Sequence, residues 1–261
     1  MTLAPFGRRL APVVENRKVG AYTLLIAADP DGPANPRPGQ FYMLATEEGW
    51  GAGDGERPYL PRAFSFARAR EGQLWFLLED IGPGTHRLAE LREGENIWLT
   101  GPLGIGFEPA EGAILVGGGI GTAPLLCLQD ELGPEAPVLL GFRSADHAEA
   151  ASLFAGEPQL ATDDGSVGRH GLVTELLLEQ LQSPIANPQV FACGPPPMLE
   201  AVRALCEEHD VRAQLALESG MACGFGACFG CVIPTRNGYI RLCVDGPVLE
   251  AADLVPGGVG H

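Results

Sequence analysis

The chain has 261 residues, 46% of them hydrophobic, enough for two cores of ordinary size and too many for a disordered chain. Its formal charge is −16, from 17 Lys plus Arg against 33 Asp plus Glu, so a nucleic-acid backbone and an anionic membrane surface are both poor partners. The 36 Gly and 23 Pro follow no period and read as turns and close backbone approaches, not as a fibrous repeat.

The Arg8-Arg9 pair precedes no apolar run with a small-residue cleavage site, and no stretch reaches the length of a membrane span. A cytoplasmic protein is expected. The cysteines number seven, an odd count that argues against a disulfide framework and for a metal or redox role.

From Leu10 to Phe107 the pattern is mostly strands: Val19–Ala28, Gln40–Ala45, Arg62–Ala67, Leu74–Glu79 and Asn96–Thr100, separated by turn residues. Short strands at this spacing predict a small antiparallel barrel. The glycine-rich stretch 48–57 reads as a surface loop, and His86–Leu91 as a turn or two of helix. At Glu111 the pattern changes. Strands at Ala113–Val116, Val138–Phe142, Leu160–Thr162, Gln189–Cys193 and Gln214–Leu217 alternate with helices at Thr122–Leu132, Ala145–Leu153, Leu172–Leu181 and Pro197–Glu208. Such alternation predicts a mainly parallel sheet covered on both faces. The last segment, from Glu218 on, has little helical pattern and four of the cysteines. The predicted division is 1–108, 109–217 and 218–261.

Cys223, Cys228 and Cys231 follow a C-x4-C-x2-C spacing, and Cys243 comes after eleven further residues. Four thiolates so spaced can hold one [2Fe–2S] cluster, and Gly224, Gly226 and Gly230 suit a loop that must turn N–H groups toward sulfur. The competing assignments are a structural zinc site, which usually uses two CxxC pairs, and free or disulfide-bonded cysteines. Cys127, Cys193 and Cys206 lie in apolar or helical contexts and read as buried thiols.

Gly117, Gly118, Gly119, Ile120, Gly121 and Thr122 form a glycine turn between a buried strand and a helix start with Pro124 in its first turn. Backbone there can approach a diphosphate, and the helix N-terminus favours its charge. A tight turn with no ligand is the alternative. Cys193-Gly194-Pro195 ends a later strand, and two such loops at strand C-terminal ends suggest a dinucleotide crevice. NAD and NADP are not distinguished by this pattern. In the first part, Arg62 and Ser65 offer a guanidinium and a hydroxyl to a flavin diphosphate, and Gly84-Thr85 opens a helical turn. A surface Arg with a structural Ser is the plainer reading of that pair. His86, His147, His170, His209 and His261 form no visible constellation with a nucleophile, so no catalytic acid–base group is assigned.

The order Arg62-Ala-Phe-Ser65, Gly84-Thr85, Gly101-Pro-Leu-Gly104, Gly117 to Pro124, Cys193-Gly-Pro195 and the four cysteines resembles the electron-transfer subunits of NAD-dependent dihydroorotate dehydrogenase, within the ferredoxin reductase-like superfamily. The stretch from Glu218 to Cys231 is especially similar, as is Cys243-Val-Asp-Gly-Pro247. The resemblance implies a flavin-binding antiparallel β-barrel, an open, mainly parallel α/β nucleotide-binding domain and a small [2Fe–2S] cysteine module. By position, Arg62, Ala63, Phe64, Ser65, Leu78, Glu79, Asp80, Gly84 and Thr85 would contact FAD. Gly117 to Thr122 with Cys193 and Gly194 would line the NAD side, and the four cysteines would ligate iron. The resemblance also implies an FMN-containing dihydroorotate dehydrogenase catalytic subunit as partner, in a heterotetramer of pyrimidine biosynthesis. Electrons would pass from that FMN through the cluster and FAD to NAD+. Three positions depart from the family pattern: Ala63 stands for Pro, and Glu79 and Pro83 stand for basic residues, with Arg87 near enough to compensate. Alternatives are an NAD(P)H-dependent reductase subunit of a hydrogenase or sulfur reductase complex, and a non-enzymatic zinc-containing scaffold.

Overall fold

The computed structural model describes residues 7–51 and 58–259. Residues 52–57 of the stretch expected as a loop at 48–57, and His261, lie outside the described residues.

The first half forms β1 (Arg9–Val19), β2 (Tyr22–Ala28), β3 (Phe41–Thr46), β4 (Arg62–Ser65), β5 (Arg68–Arg70), β6 (Gln73–Glu79), the short helix α1 (Pro83–Ala89) and β7 (Asn96–Leu103). The strands make one antiparallel sheet in the order β4-β3-β7-β1-β2-β6-β5. Its edges, β4 and β5, are separated by only Phe66 and Ala67. Three residue steps span at most about 11 Å. The two edges are therefore held close, and the sheet must curl on itself as a barrel does, although no hydrogen-bonded ladder joins them. Inside the curl, Tyr42 meets Phe66 and Phe76 edge-on, with centroids 5.9 and 5.7 Å apart.

The second half contains β8 (Ala113–Gly118), α2 (Ala123–Leu132), β9 (Val138–Phe142), α3 (Ala145–Ala148), β10 (Gln159–Thr162), β11 (Arg169–His170), α4 (Val173–Leu181), β12 (Gln189–Cys193), α5 (Pro196–Glu208) and β13 (Arg212–Ala216). These strands are parallel, in the order β11-β10-β9-β8-β12-β13. Both β8 and β12 are wholly buried and apolar but for Gln189, as strands of a doubly covered sheet are. The chain leaves β8 in one direction and returns through β12 on its other side, so the order reverses between them. Ligands of such sheets bind outside the strand ends at that reversal.

The C-terminal segment adds a hairpin of β14 (Val232–Thr235) and β15 (Gly238–Arg241), the turn-length helix α6 (Leu242–Asp245) and β16 (Val248–Glu250). The last strand pairs antiparallel with β13, and Pro247 bridges to Ile105 after β7. The cysteine segment is thus pinned to both sheets. Among the described residues no helix is long and apolar enough to cross a membrane.

Two expected elements divide. The run Val19–Ala28 is the end of β1, a turn and β2, because Gly20 takes φ +55°. The helix expected over Ala145–Leu153 is α3 followed by a 3-10 turn at Glu149–Leu153.

Candidate functional site

Two cavities lie where the strand ends of the second sheet face the first. The larger, about 480 Å³, is floored by Gly118 to Gly121 and Gly194 to Met198 and walled by Arg143, Asp163 and Leu172. The other, about 300 Å³, is lined by Arg62 to Ser65 of β4, Thr85, Cys193 and Met221. Glu79, Ile120, Gly121 and Glu218 line both, so the cavities share a wall.

The glycine turn is built by close packing on three sides and left open on the fourth. A Cβ on Gly117 would press on Leu140 and Thr122, one on Gly118 would overlap Met198, and one on Gly121 would overlap the backbone of Cys193 and Gly194. The two cavity-lining loops therefore touch each other. Gly119, at φ +54°, has nothing nearer than the Tyr22 hydroxyl, 3.8 Å from its would-be Cβ. Its backbone is bare toward the larger cavity, as close approach of a diphosphate requires. Thr122, wholly buried at the start of α2, keeps its Oγ1 without a partner among the described residues. Gly117 and Thr122 support this turn from behind, while Gly118, Gly119, Ile120 and Gly121 form its cavity face.

Around the smaller cavity, Arg62 donates to the Leu60 carbonyl at 2.9 Å and stands 6.0 Å from the centroid of Trp50. A Cβ on Gly84 would lie 3.1 Å from the Arg62 Nε, so the two sequence motifs meet in space. The Thr85 hydroxyl closes the first turn of α1, accepting from the Ile81 and Gly82 N–H groups at 3.0 Å each. Ala63, Phe64 and Ser65 line the cavity; Leu78 is fully buried in the first sheet, and Asp80 instead pairs with His86 at 2.9 Å. Glu79, acidic where the family pattern is basic, accepts from Arg143 at 2.9 Å and lies 3.6 Å from His147 Nε2.

Residues that sequence reasoning did not single out for these cavities include Phe41, Arg143, Asp163, Met198 and Glu218. Glu218 follows β13 at the mouth of the cysteine segment. It is open to solvent through the cleft yet surrounded by protein, and that burial pushes its carboxyl above the ordinary range. Cys193, fully enclosed and next to Glu218, has its thiol pushed far up by burial and then by that carboxylate.

The four C-terminal cysteines are brought together as two pairs. Cys231 and Cys243 lie with sulfurs 3.2 Å apart and no bond between them, and Cys223 interacts with Cys228. The Gly226 N–H donates to Cys243 Sγ at 3.1 Å, Gly230 to Cys228 at 3.4 Å, and Cys243 to Cys231 at 3.5 Å. Gly224 and Gly226, at φ +78° and +84°, make these directions available. Among the described residues no three His, Cys, Asp or Glu side chains close round a single ion position. Two thiol pairs with N–H groups aimed at sulfur are the donor set of a two-iron cluster, and the residues fit it. The loop rests on the first sheet, since a Cβ on Gly224 would press on Met43 and Leu103. Cys228 is exposed beside Phe225 and Phe229, which are 65% and 64% exposed.

A curled antiparallel sheet, a parallel sheet with a glycine turn at its reversal point, and a shared cleft define a ferredoxin reductase-like protein. Among solved structures, the NADH-dependent reduced ferredoxin-NADP oxidoreductase matches with TM-score 0.81 at 25% identity, over 97% of this chain and 92% of that one. A ferredoxin reductase of carbazole 1,9a-dioxygenase matches with TM-score 0.63 at 24% identity, over 80% and 67%. Residues 218–255 match the family described as the iron-sulfur cluster binding domain of dihydroorotate dehydrogenase B. The dihydroorotate dehydrogenase B (NAD(+)) electron transfer subunit of Caldanaerobacter subterraneus is 34% identical over 94% of this chain and 97% of its own. That of Geobacillus thermodenitrificans is 36% identical over 95% and 99%. The chain belongs to the family of dihydroorotate dehydrogenase B electron transfer subunits.

Proposed function

We propose that the chain is the NAD-reducing electron-transfer subunit of a dihydroorotate dehydrogenase, carrying FAD and a [2Fe–2S] cluster and working with an FMN-containing catalytic subunit in a cytoplasmic heterotetramer. The observation that carries this reading is adjacency. The cavity beside Arg62, the cavity at the glycine turn and the cysteine loop that begins just after Met221 abut one another around Glu218. Residues 1–108 supply the flavin side, 109–217 the nicotinamide side and 218–261 the cluster.

When bound, the flavin supplies conversion between the single-electron traffic of an iron–sulfur cluster and the hydride exchange of a nicotinamide. Arg62 offsets diphosphate charge, and Ser65 adds a hydroxyl beside it. The bare backbone of Gly119, within the turn from Gly118 to Gly121, and the start of α2 hold the dinucleotide diphosphate. Glu218 lines both cavities where they meet, and desolvation there raises its carboxyl above the ordinary range. Cys223 with Cys228 would take one iron and Cys231 with Cys243 the other. Phe225 and Phe229 supply an apolar rim for the partner around exposed Cys228. No acid–base group for dihydroorotate is assigned to this chain, and its oxidation belongs to the partner.

The test is reconstitution. The isolated chain should oxidise NADH with an artificial acceptor and leave dihydroorotate untouched. Adding the FMN-bearing subunit should yield dihydroorotate-dependent NADH formation, which Cys228→Ala should abolish while NADH still reduces FAD. Turnover of dihydroorotate by this chain alone would overturn the assignment.

A further inference from the structure

Tyr22 belongs to the first sheet but ends in the cavity of the second. It opens β2 immediately after the Gly20-Ala21 turn, and that turn is docked on the start of α3. The Ala21 N–H donates to the Asp146 carbonyl at 3.1 Å, and a side chain on Gly20 would overlap that carbonyl. The Tyr22 ring is held edge-on by His147, with centroids 5.6 Å apart and planes at 80°. His147 is itself fixed by Ser144 Oγ, 2.9 Å from its Nδ1. The side chain is 1% exposed, yet its hydroxyl reaches the larger cavity above Gly119 and has no hydrogen-bond partner among the described residues. Burial, and then the Glu79 carboxylate, push its pKa up against the opposing effect of Arg143, so the group stays a neutral donor across the working pH range.

The hydroxyl opens into the cavity and is not sealed among protein atoms, so its proton is offered to whatever occupies that space. The nearest part of the cavity floor is the open face of the glycine turn at Gly119. We infer that Tyr22 is a positioning residue for the dinucleotide, donating a hydrogen bond to a diphosphate oxygen seated on the turn at Gly119. This rests on the reading of that cavity as the NAD site. The nucleotide is then gripped from both sheets, with the turn below and Tyr22 above. Tyr22 sits on the wrong sheet for any strand-end loop motif to reveal it.

The experiment is an NADH titration of the flavin- and cluster-loaded protein, with Kd read by NADH fluorescence. Tyr22→Phe removes only the hydroxyl and should raise Kd about tenfold to a hundredfold, the loss of one hydrogen bond to a charged oxygen. FAD content, cluster absorbance and Tm should be unchanged. In steady state KM should rise while kcat holds, because the contact serves ground state and transition state alike. A dihydronicotinamide lacking ribose and phosphate should reduce both proteins at the same rate. An unchanged Kd in Tyr22→Phe, with Gly119→Val still weakening NADH binding tenfold or more, would overturn the role of Tyr22 and leave the cavity assignment standing. Normal NADH binding by Gly119→Val would overturn the cavity assignment itself, and this inference with it.

Discussion

Glu79 at the end of β6 accepts a hydrogen bond from Arg143 at the end of β9, at 2.9 Å, so an ion pair crosses between the sheets at a residue that lines both cavities. Its carboxylate is mostly covered, whereas the Arg143 side chain is 68% exposed, which limits what the pair contributes to stability. Glu79→Gln should cost less than about 1 kcal/mol. Glu79→Lys should cost more, about 1–2 kcal/mol, since it sets a cation against Arg143 and beside His147. Urea midpoints of the two variants check this. A Lys variant as stable as the wild type would mean that the pair does not hold the seam, and that the basic residue of the family pattern is interchangeable with Glu here.

The glycine turn separates two kinds of glycine. Gly119 and Gly133 both have positive φ, +54° and +93°, but only Gly119 faces the cavity, while Gly133 ends α2 with nothing within 4 Å of its would-be Cβ. A side chain at either should cost about 1–2 kcal/mol of stability. Gly119→Val should in addition weaken NADH binding tenfold or more, as an order of magnitude, by occupying the approach of the diphosphate. Gly133→Ala should leave NADH binding alone. Stopped-flow reduction of bound FAD by NADH, beside thermal melts, distinguishes the two.

What was legible from residues alone follows where the physics is local. Val138–Phe142 and Gln189–Cys193 stand out because a doubly covered strand is apolar along most of its length, and both are strands with those bounds. The cysteine spacing carries its own chemistry, and the four thiols do converge as pairs. Most of β1 was not legible. Glu15, Arg17 and Lys18 face outward on a strand with only Ala11, Val13 and Val19 buried, so its alternation is diluted. Nor was β16, three residues long, recognisable before β13 was there to pair with it. The cavity walls contributed by Arg143, Asp163 and Glu218 depend on how the sheets meet, which no local period encodes.

Arg241 closes β15 and reaches back over the cysteine loop. Its guanidinium donates to the Gly226 carbonyl at 3.2 Å and lies 5.5 Å from the centroid of Phe229, itself held at φ +58°. Gly226 is the residue whose N–H points at Cys243, so Arg241 orients a donor to sulfur without touching it. Arg241→Ala should loosen the cluster about tenfold or more, the usual effect of removing a group that orients metal ligands. Arg241→Lys should recover part of this, having a cation but no planar fork. The measurement is the rate at which visible absorbance bleaches under an iron chelator. Equal rates for all three proteins would show that Arg241 only covers the loop.

The remaining thiols set the response to alkali. Burial pushes Cys127 and Cys206 up to about 12 and raises Cys193 as well, whereas in the unfolded chain a thiol loses its proton near pH 8.5. Their native pKa values are raised, so the stability they contribute is fully present below about pH 8.5 and is lost as pH rises toward 12. Above that lower bound the unfolded state has released the proton and the native state has not. Each thiol should then remove about 1.4 kcal/mol of stability per pH unit. Unfolding free energies from urea titrations at pH 8, 9 and 10 should fall with increasing slope. Cys206→Ala should flatten the slope by one thiol's share while leaving iron and sulfide content intact. A slope unchanged in Cys206→Ala would place the alkaline loss in other groups, the buried Tyr22 and Tyr42 first among them, since burial raises both of their hydroxyls as well.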